Sequence, residues 1–202
     1  MYAVAARHQL DPSFPDAVLA EVDAWLADPH IDDPDLEDLR ALPFVSIDGP
    51  GTRDIDQALY VEAVENGWRV YYALADPSFY VRPGSALFAE SLRRGASYYL
   101  PGLAVPMLPR PLSEGIVSLN GGVDRRALVF VIDLTAKGDT RRTRLTRARI
   151  RSRAQLDFAQ VERFLDEGAP LPDPELADSM RAFAAVRELR LERARRRNIL
   201  PY

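Results

Sequence analysis

The sequence predicts an α+β fold, with a mixed, largely hairpin-connected sheet and flanking helices. Two observations carry this expectation. Strand-like runs come in pairs joined by tight-turn signals, at Glu65-Asn66-Gly67 and Lys137-Gly138-Asp139. Strands also precede helices instead of alternating with them, which argues against a doubly wound parallel sheet. The length of 202 residues fits a single domain over 1–202, with residues 1–42 forming an N-terminal helix and acidic loop.

Residues 14–26 predict the first helix, because Val18, Leu19, Val22 and Leu26 recur near a 3.6-residue period. The Pro- and Asp-rich stretch 28–38 predicts a loop. Residues 44–48 form a short apolar run that ends at Gly49-Pro50-Gly51, a turn. Residues 57–64 and 68–75 predict a hairpin around Asn66-Gly67, whose residues tolerate positive φ. Residues 85–94 predict a helix stopped by Gly95. Pro101, Pro106, Pro109 and Pro111 make residues 98–118 an ordered loop. Residues 127–134 and 143–152 predict a second hairpin, and residues 155–166 and 172–197 predict two helices.

Composition excludes several classes. A hydrophobic fraction of 47% is too high for a disordered chain. The absence of Cys excludes disulfide scaffolds, thiolate zinc sites and thiol catalysis, and two His argue against a His-rich metal site or a Ser-His-Asp triad. No apolar run approaches the ~20 residues of a membrane span, and residues 1–10 lack the apolar core of a signal peptide. A cytoplasmic protein with no membrane partner is expected. Charge is divided unevenly: residues 1–56 carry thirteen Asp/Glu against three Arg, and the remainder is net basic. Such a division suits a cation at one place and a polyanion at another.

The candidate site is the acidic turn. Asp48, Asp54, Asp56 and Gln57 surround Gly49 and Gly51. If a strand begins at Asp54, then Asp54 and Asp56 share one face about 6.7 Å apart, and the Gly-bearing turn folds Asp48 towards them. Three close carboxylates favour a hard divalent cation, Mg2+ or Mn2+, and with it phosphoryl chemistry. On spacing alone a second reading stays open, in which Asp48 and Asp54 cap the turn through Asx hydrogen bonds. No P-loop or EF-hand pattern is present.

Ser46-Ile47-Asp48, with Asp54 and Asp56-Gln57-Ala58, resembles the T-I-D-x5-D-x-D-D-A signature of the RNase II/RNB exoribonuclease family. Further stretches match in family order: Ala73-Leu74-Ala75-Asp76-Pro77-Ser78, Val81-Arg82-Pro83-Gly84-Ser85, Tyr99-Leu100-Pro101-Gly102, Pro106-Met107-Leu108-Pro109, Leu112-Ser113 through Ser118-Leu119-Asn120, and 150–160 against I-x-S-x-A-x-L-x-Y-x-Q. Residues 43–202 thus resemble the front part of an RNB catalytic domain. The resemblance implies a metal-dependent hydrolase that degrades single-stranded RNA from the 3′ end and releases nucleoside 5′-monophosphates. It maps Asp48, Asp54, Asp56 and Gln57 to the magnesium site, makes Asp56 the residue on which cleavage depends, makes Tyr99 a base-stacking aromatic and places Phe158 among the RNA-contacting residues. Tyr98 beside it is the expected core residue. Three departures accompany the match. Gln57 and Phe158 stand where the family usually has Asp and Tyr, and the resemblance ends near Asn198-Ile199-Leu200, before the part that supplies an Arg, a Glu and a second aromatic clamp. They favour the alternative of a non-catalytic RNA-binding remnant or pseudoenzyme.

Arg147, Arg149, Arg151 and Arg153 alternate along one strand face and form a candidate track for an RNA backbone, its alternative a solvated sheet face. Ala177, Met180, Ala184 and the stretch 187–191 lay an apolar stripe on the last helix. That stripe is expected to be core or, in a short chain, a surface for association.

Overall fold

The protein is described by a computed structural model covering residues 7, 8 and 10–199. Residues 1–6 and 9, part of the stretch expected to lack a signal core, lie outside the described residues. In chain order the first elements are α1 (Asp16–Ala27), β1 (Glu37–Asp38), β2 (Phe44–Asp48), β3 (Gln57–Val64), β4 (Gly67–Ala75), α2 (Pro77–Tyr80) and α3 (Ala86–Arg94). There follow β5 (Tyr98–Leu100), β6 (Leu103–Val105), a π-helical turn (Pro111–Ile116), β7 (Asp124–Thr135), β8 (Thr140–Asp157), α4 (Phe158–Glu167) and α5 (Leu176–Arg196). The chain parts into two compact units. One holds the residues up to His30 together with Asp76–Ser118, and the other holds Ile31–Ala75 and the residues from Leu119 onward.

The first unit is built on α1 and α3. Val18 and Val22 are buried, but Leu19 and Leu26 are exposed, so the apolar face of α1 is narrower than its spacing predicts. Glu21 accepts from the amides of Ala86 (2.8 Å) and Leu87 (2.9 Å), and Ser85 caps Phe88, so side chains satisfy three orphan donors of α3. Gly95 ends α3 at φ +71°, as its position predicts. Residues 98–118, expected as a loop, contain the β5–β6 hairpin and the π-helical turn. The prolines interrupt these elements without preventing them, because Tyr98–Leu100 and Leu103–Val105 contain none.

The second unit carries the predicted mixed sheet. β3–β4, β4–β7 and β7–β8 are antiparallel, whereas β2 and β1 run parallel to β8. β8 pairs with β7 over its first part and with β2 from Ser152 to Asp157, so the sequence of pairings β2–β3–β4–β7–β8 returns to β2. That closure was not expected, because residues 155–157 looked helical. They extend β8, and α4 begins only at Phe158. In the first hairpin only Asn66 takes a positive φ, +64°. Gly67 serves another purpose: a Cβ there would lie 1.9 Å from the Leu134 carbonyl oxygen on the neighbouring strand.

α4 and α5 cover one face of this sheet. Val45 and Leu156 pack with Val161, Phe164, Leu171, Leu176 and Met180, and Val61 and Leu134 pack with Ala182 and Val186. Ala177 and Met180 of the expected stripe are therefore core, whereas Ala184, Leu189 and Leu191 further along the helix are only partly buried. Ser179 seats the helix further. Its hydroxyl accepts from the Val61 amide at 2.9 Å, at a point where β3 extends beyond its pairing with β2. Ser179→Ala leaves that buried N–H without a partner and is expected to lower unfolding free energy by about 1–3 kcal/mol, measured by denaturant titration. Among the described residues no helix is long and apolar enough to cross a membrane.

Candidate active site

The acidic turn begins where β2 ends. Asp48 is half-buried, and its Oδ1 accepts from the Gly49 amide at 2.6 Å, with the Thr52 hydroxyl 3.2 Å away. Gly51 supplies the positive φ, +81°, that lets the chain reverse. These bonds engage one of the two carboxylate oxygens, and neither is the amide two residues on that an Asx turn uses, since that position is Pro50. The turn is tied to β8 by Gln155, whose amide donates to the Thr52 carbonyl at 2.8 Å.

Beyond the turn the chain is extended but does not yet pair as a regular strand; β3 begins at Gln57, as its run predicts, and not at Asp54. Alternation nonetheless holds. Ile55 is buried and Asp54 and Asp56 face solvent on either side of it. Two backbone bonds fix the stretch, from Leu119 N to Ile55 O at 2.9 Å and from Ala75 N to Asp56 O at 2.8 Å. Asp54 and Asp48 lie near enough for their charges to act on Asp56. Burial raises the pKa of Asp56 above its ordinary value of 3.8, and the charges of Asp54 and then Asp48 push it in the same direction.

A hard divalent cation suits this donor set chemically: all the donors are oxygens, and the carboxylates repel one another. The cluster is open, since among the described residues no three His, Asp or Glu side chains are gathered to hold an ion. Gln57 stands apart from it, because its Oε1 accepts the Tyr72 hydroxyl across the β3–β4 pair.

A groove of about 580 Å3 runs beside the turn, lined by residues 49–53, Asn120 and, from β8 and α4, Gln155, Asp157 and Gln160. Sequence reasoning missed Thr52, Gln155 and Asp157. The last two lie within a stretch taken as helix, which hid their strand register.

The expected RNA-contacting residues divide into two groups. Tyr99 on β5 is 73% exposed and Phe158 at the start of α4 is 65% exposed, so each presents an aromatic face to solvent. Tyr98, expected in the core, is also exposed, although its cross-strand partner Val105 is buried.

The arginines of β8 alternate with buried Ala148, Ile150 and Ser152 as predicted. Arg149 and Arg151, however, hold carboxylates where an open phosphate track was expected. Arg149 pairs with Asp32 at 2.7 Å and with Asp38 at 3.3 Å, and Arg151 pairs with Asp124 at 2.6 Å. Arg40 bridges Asp38 and Asp124, and Arg144 grips Glu37 with both terminal nitrogens. The acidic stretch after His30 thus neutralises much of this face. Arg147 remains exposed.

Comparison with known proteins gives one consistent result. Residues 36–200 match the RNB domain family. The chain is 39% identical over 163 residues to Ribonuclease R of Vibrio cholerae serotype O1, covering 77% of this chain and 20% of that protein. It is 37% identical over 198 residues to Ribonuclease R of Acidithiobacillus ferrooxidans, covering 93% of this chain and 45% of that one. The structure superposes on Mycoplasma genitalium RNase R, solved in complex with ribose methylated single-stranded RNA, with a TM-score of 0.88 and 28% identity. That match covers 97% of this chain and 31% of the other. The chain therefore spans less than half the length of these relatives.

Proposed function

The chain belongs to the RNB family, and from that premise we propose that it is a cytoplasmic, metal-dependent exoribonuclease that shortens single-stranded RNA from the 3′ end and releases nucleoside 5′-monophosphates. The observation that carries this reading is that Asp48 and Asp54 at a Gly-bearing turn act on Asp56, whose pKa is raised first by burial and then by the charges of Asp54 and Asp48. Asp48, Asp54 and Asp56 are the residues that hold Mg2+ or Mn2+. Such an ion, when bound, polarises the scissile phosphate and lowers the pKa of water. Asp56 orients the attacking water through its carboxylate. The Asp48 Oδ1 bonds to Gly49 and Thr52 hold that side chain in a fixed orientation. Tyr99 and Phe158 stack on bases, which binds RNA without reading its sequence.

The test compares 3′-labelled and 5′-labelled single-stranded RNA with Mg2+ and with EDTA. Early release of labelled mononucleotide from the 3′-labelled strand, abolished by EDTA, supports the reading. Salt-sensitive binding with no cleavage supports the second one, an RNA-binding remnant. That second reading draws on Gln57, which adds no charge and is engaged by Tyr72, and on the missing hydroxyl at Phe158. Under either reading Tyr99→Ala is expected to weaken RNA binding by about 1–3 kcal/mol, measured by fluorescence anisotropy. An unchanged affinity would remove Tyr99 from the interface.

A further inference from the structure

We infer that the arginine face of β7 and β8 is a surface for single-stranded RNA, covered by residues 32–38, whose carboxylates stand in for RNA phosphates. The inference rests on the RNA-binding part of the reading above. In the β7–β8 register Arg126 lies directly opposite Arg149, and Asp124 lies opposite Arg151. Directly paired residues project to the same side of a sheet, so Arg126 and Arg149 are cross-strand neighbours, and like charges so placed repel. Both side chains are also largely withdrawn from water, at 3% and 17% exposure. Carboxylates from the acidic segment offset this. Asp33 pairs with Arg126 at 3.0 Å, and Asp32 and Asp38 take different terminal nitrogens of Arg149. Arg40 joins Asp38 to Asp124, which in turn holds Arg151. Asp32, Arg149, Asp38, Arg40, Asp124 and Arg151 thus form one unbroken chain of alternating charge.

The covering carboxylates are replaceable for three reasons. Five of the seven residues 32–38 are Asp or Glu, so the segment is itself a short polyanion. It is also lightly fastened: β1 is two residues long, Leu36 is the buried residue of the segment, and the Asp32 side chain is 96% exposed. Ion pairs this open to water contribute little to stability and are screened by salt. Finally, the Nε–H of Arg149 is buried and donates to no acceptor, although both terminal nitrogens are engaged. Residues 32–38 therefore leave unfilled the guanidinium edge that a two-oxygen anion grips. A phosphodiester carries two anionic oxygens, as a carboxylate does, and competes for the same planar fork. The exchange needs no new cation, because each phosphate brings the charge that a departing carboxylate takes away.

The test follows the anisotropy of a fluorescein-labelled oligouridine over a salt series, in EDTA so that metal-dependent cleavage is silent. The double variant Asp32→Asn/Asp38→Asn is expected to bind about tenfold more tightly at low salt. It is also expected to steepen the fall of log affinity with log salt by about 0.7 for each phosphate gained. Asp166→Asn/Glu167→Gln, which removes as much charge from the exposed end of α4, is expected to bind like the original. Arg149→Gln added to the Asp32→Asn/Asp38→Asn background is expected to return affinity and slope to their starting values. Because the Asp32 side chain is almost fully exposed, Asp32→Asn alone keeps the fold and is expected to give a smaller gain in the same direction. If the unsubstituted chain binds the RNA, Tyr99→Ala weakens it and the Asp32 variants gain no more than the α4 control, the charge chain is only structural and the inference fails alone. If neither the unsubstituted chain nor any variant binds RNA, the RNA-binding reading falls and the inference falls with it.

Discussion

Asp56→Asn is expected to reduce mononucleotide release by about 10²–10³-fold, the usual cost of removing a group that stabilises charge developing in a transition state, while RNA affinity changes little. Asp56 is where the charges of the cluster converge, since Asp54 and Asp48 both act on it. Its amide isostere keeps shape and backbone bonds and loses only the charge. A release rate within about threefold of the original would exclude Asp56 from the chemistry.

The same substitution is expected to act on stability in the opposite direction. A carboxylate whose folded pKa lies above its unfolded value favours the fold while protonated. That contribution is present below pH 3.8 and is lost as pH rises through the raised value. In EDTA at neutral pH, Asp56→Asn therefore relieves repulsion and raises the melting temperature, and below pH 3.8 the difference closes. Loss of activity with a gain in metal-free stability is the signature of a functional carboxylate; simultaneous loss of both would indicate a structural one.

Arg94→Ala is expected to have the largest effect on stability, about 3–5 kcal/mol, because it strands a buried charge. Arg94 and Glu90 are nearly inaccessible and pair at 2.8 Å within α3. The guanidinium also donates to the carbonyls of Asp11, Ser13 and Pro106, and it lies 3.7 Å above the Phe14 ring. One side chain thus fastens residues 11–14 and Pro106 to α3. Hydrogen exchange is expected to show protection lost first in these segments, and Arg94→Lys is expected to recover only part of it, because a single ammonium cannot reproduce the planar fork. Glu90 adds a pH dependence. Its hydrogen bond with Arg93 is the main influence holding its pKa below the ordinary 4.5; burial opposes this and Arg94 assists. The contribution is therefore present above pH 4.5 and lost on acidification below it.

Much of this architecture was legible in the chain. Period-2 runs and glycine-bearing turns located β2, β3, β4 and β7, and Gly95 marked the end of α3. What escaped was decided by tertiary pairing. Residues 155–157 have helix-compatible composition, but they pair with β2 because Leu156 is needed in the core beside Val45. The carboxylates of the site were visible, since acidic residues around a glycine turn are conspicuous. The groove wall at Gln155 and Asp157 was not, since it depends on a register that local sequence does not encode. The arginine row was visible but its meaning was not, because the acidic stretch that neutralises it lies about a hundred positions earlier in the chain.

The closure of the sheet through β8 bears on how the protein assembles. Its final seam joins Phe44–Asp48 to Ser152–Asp157, segments about a hundred residues apart, and contacts of such long range are slow to form. Completing the ring is therefore expected to be a late step in folding, and only then does the turn after β2 gain its tie to Gln155 of β8.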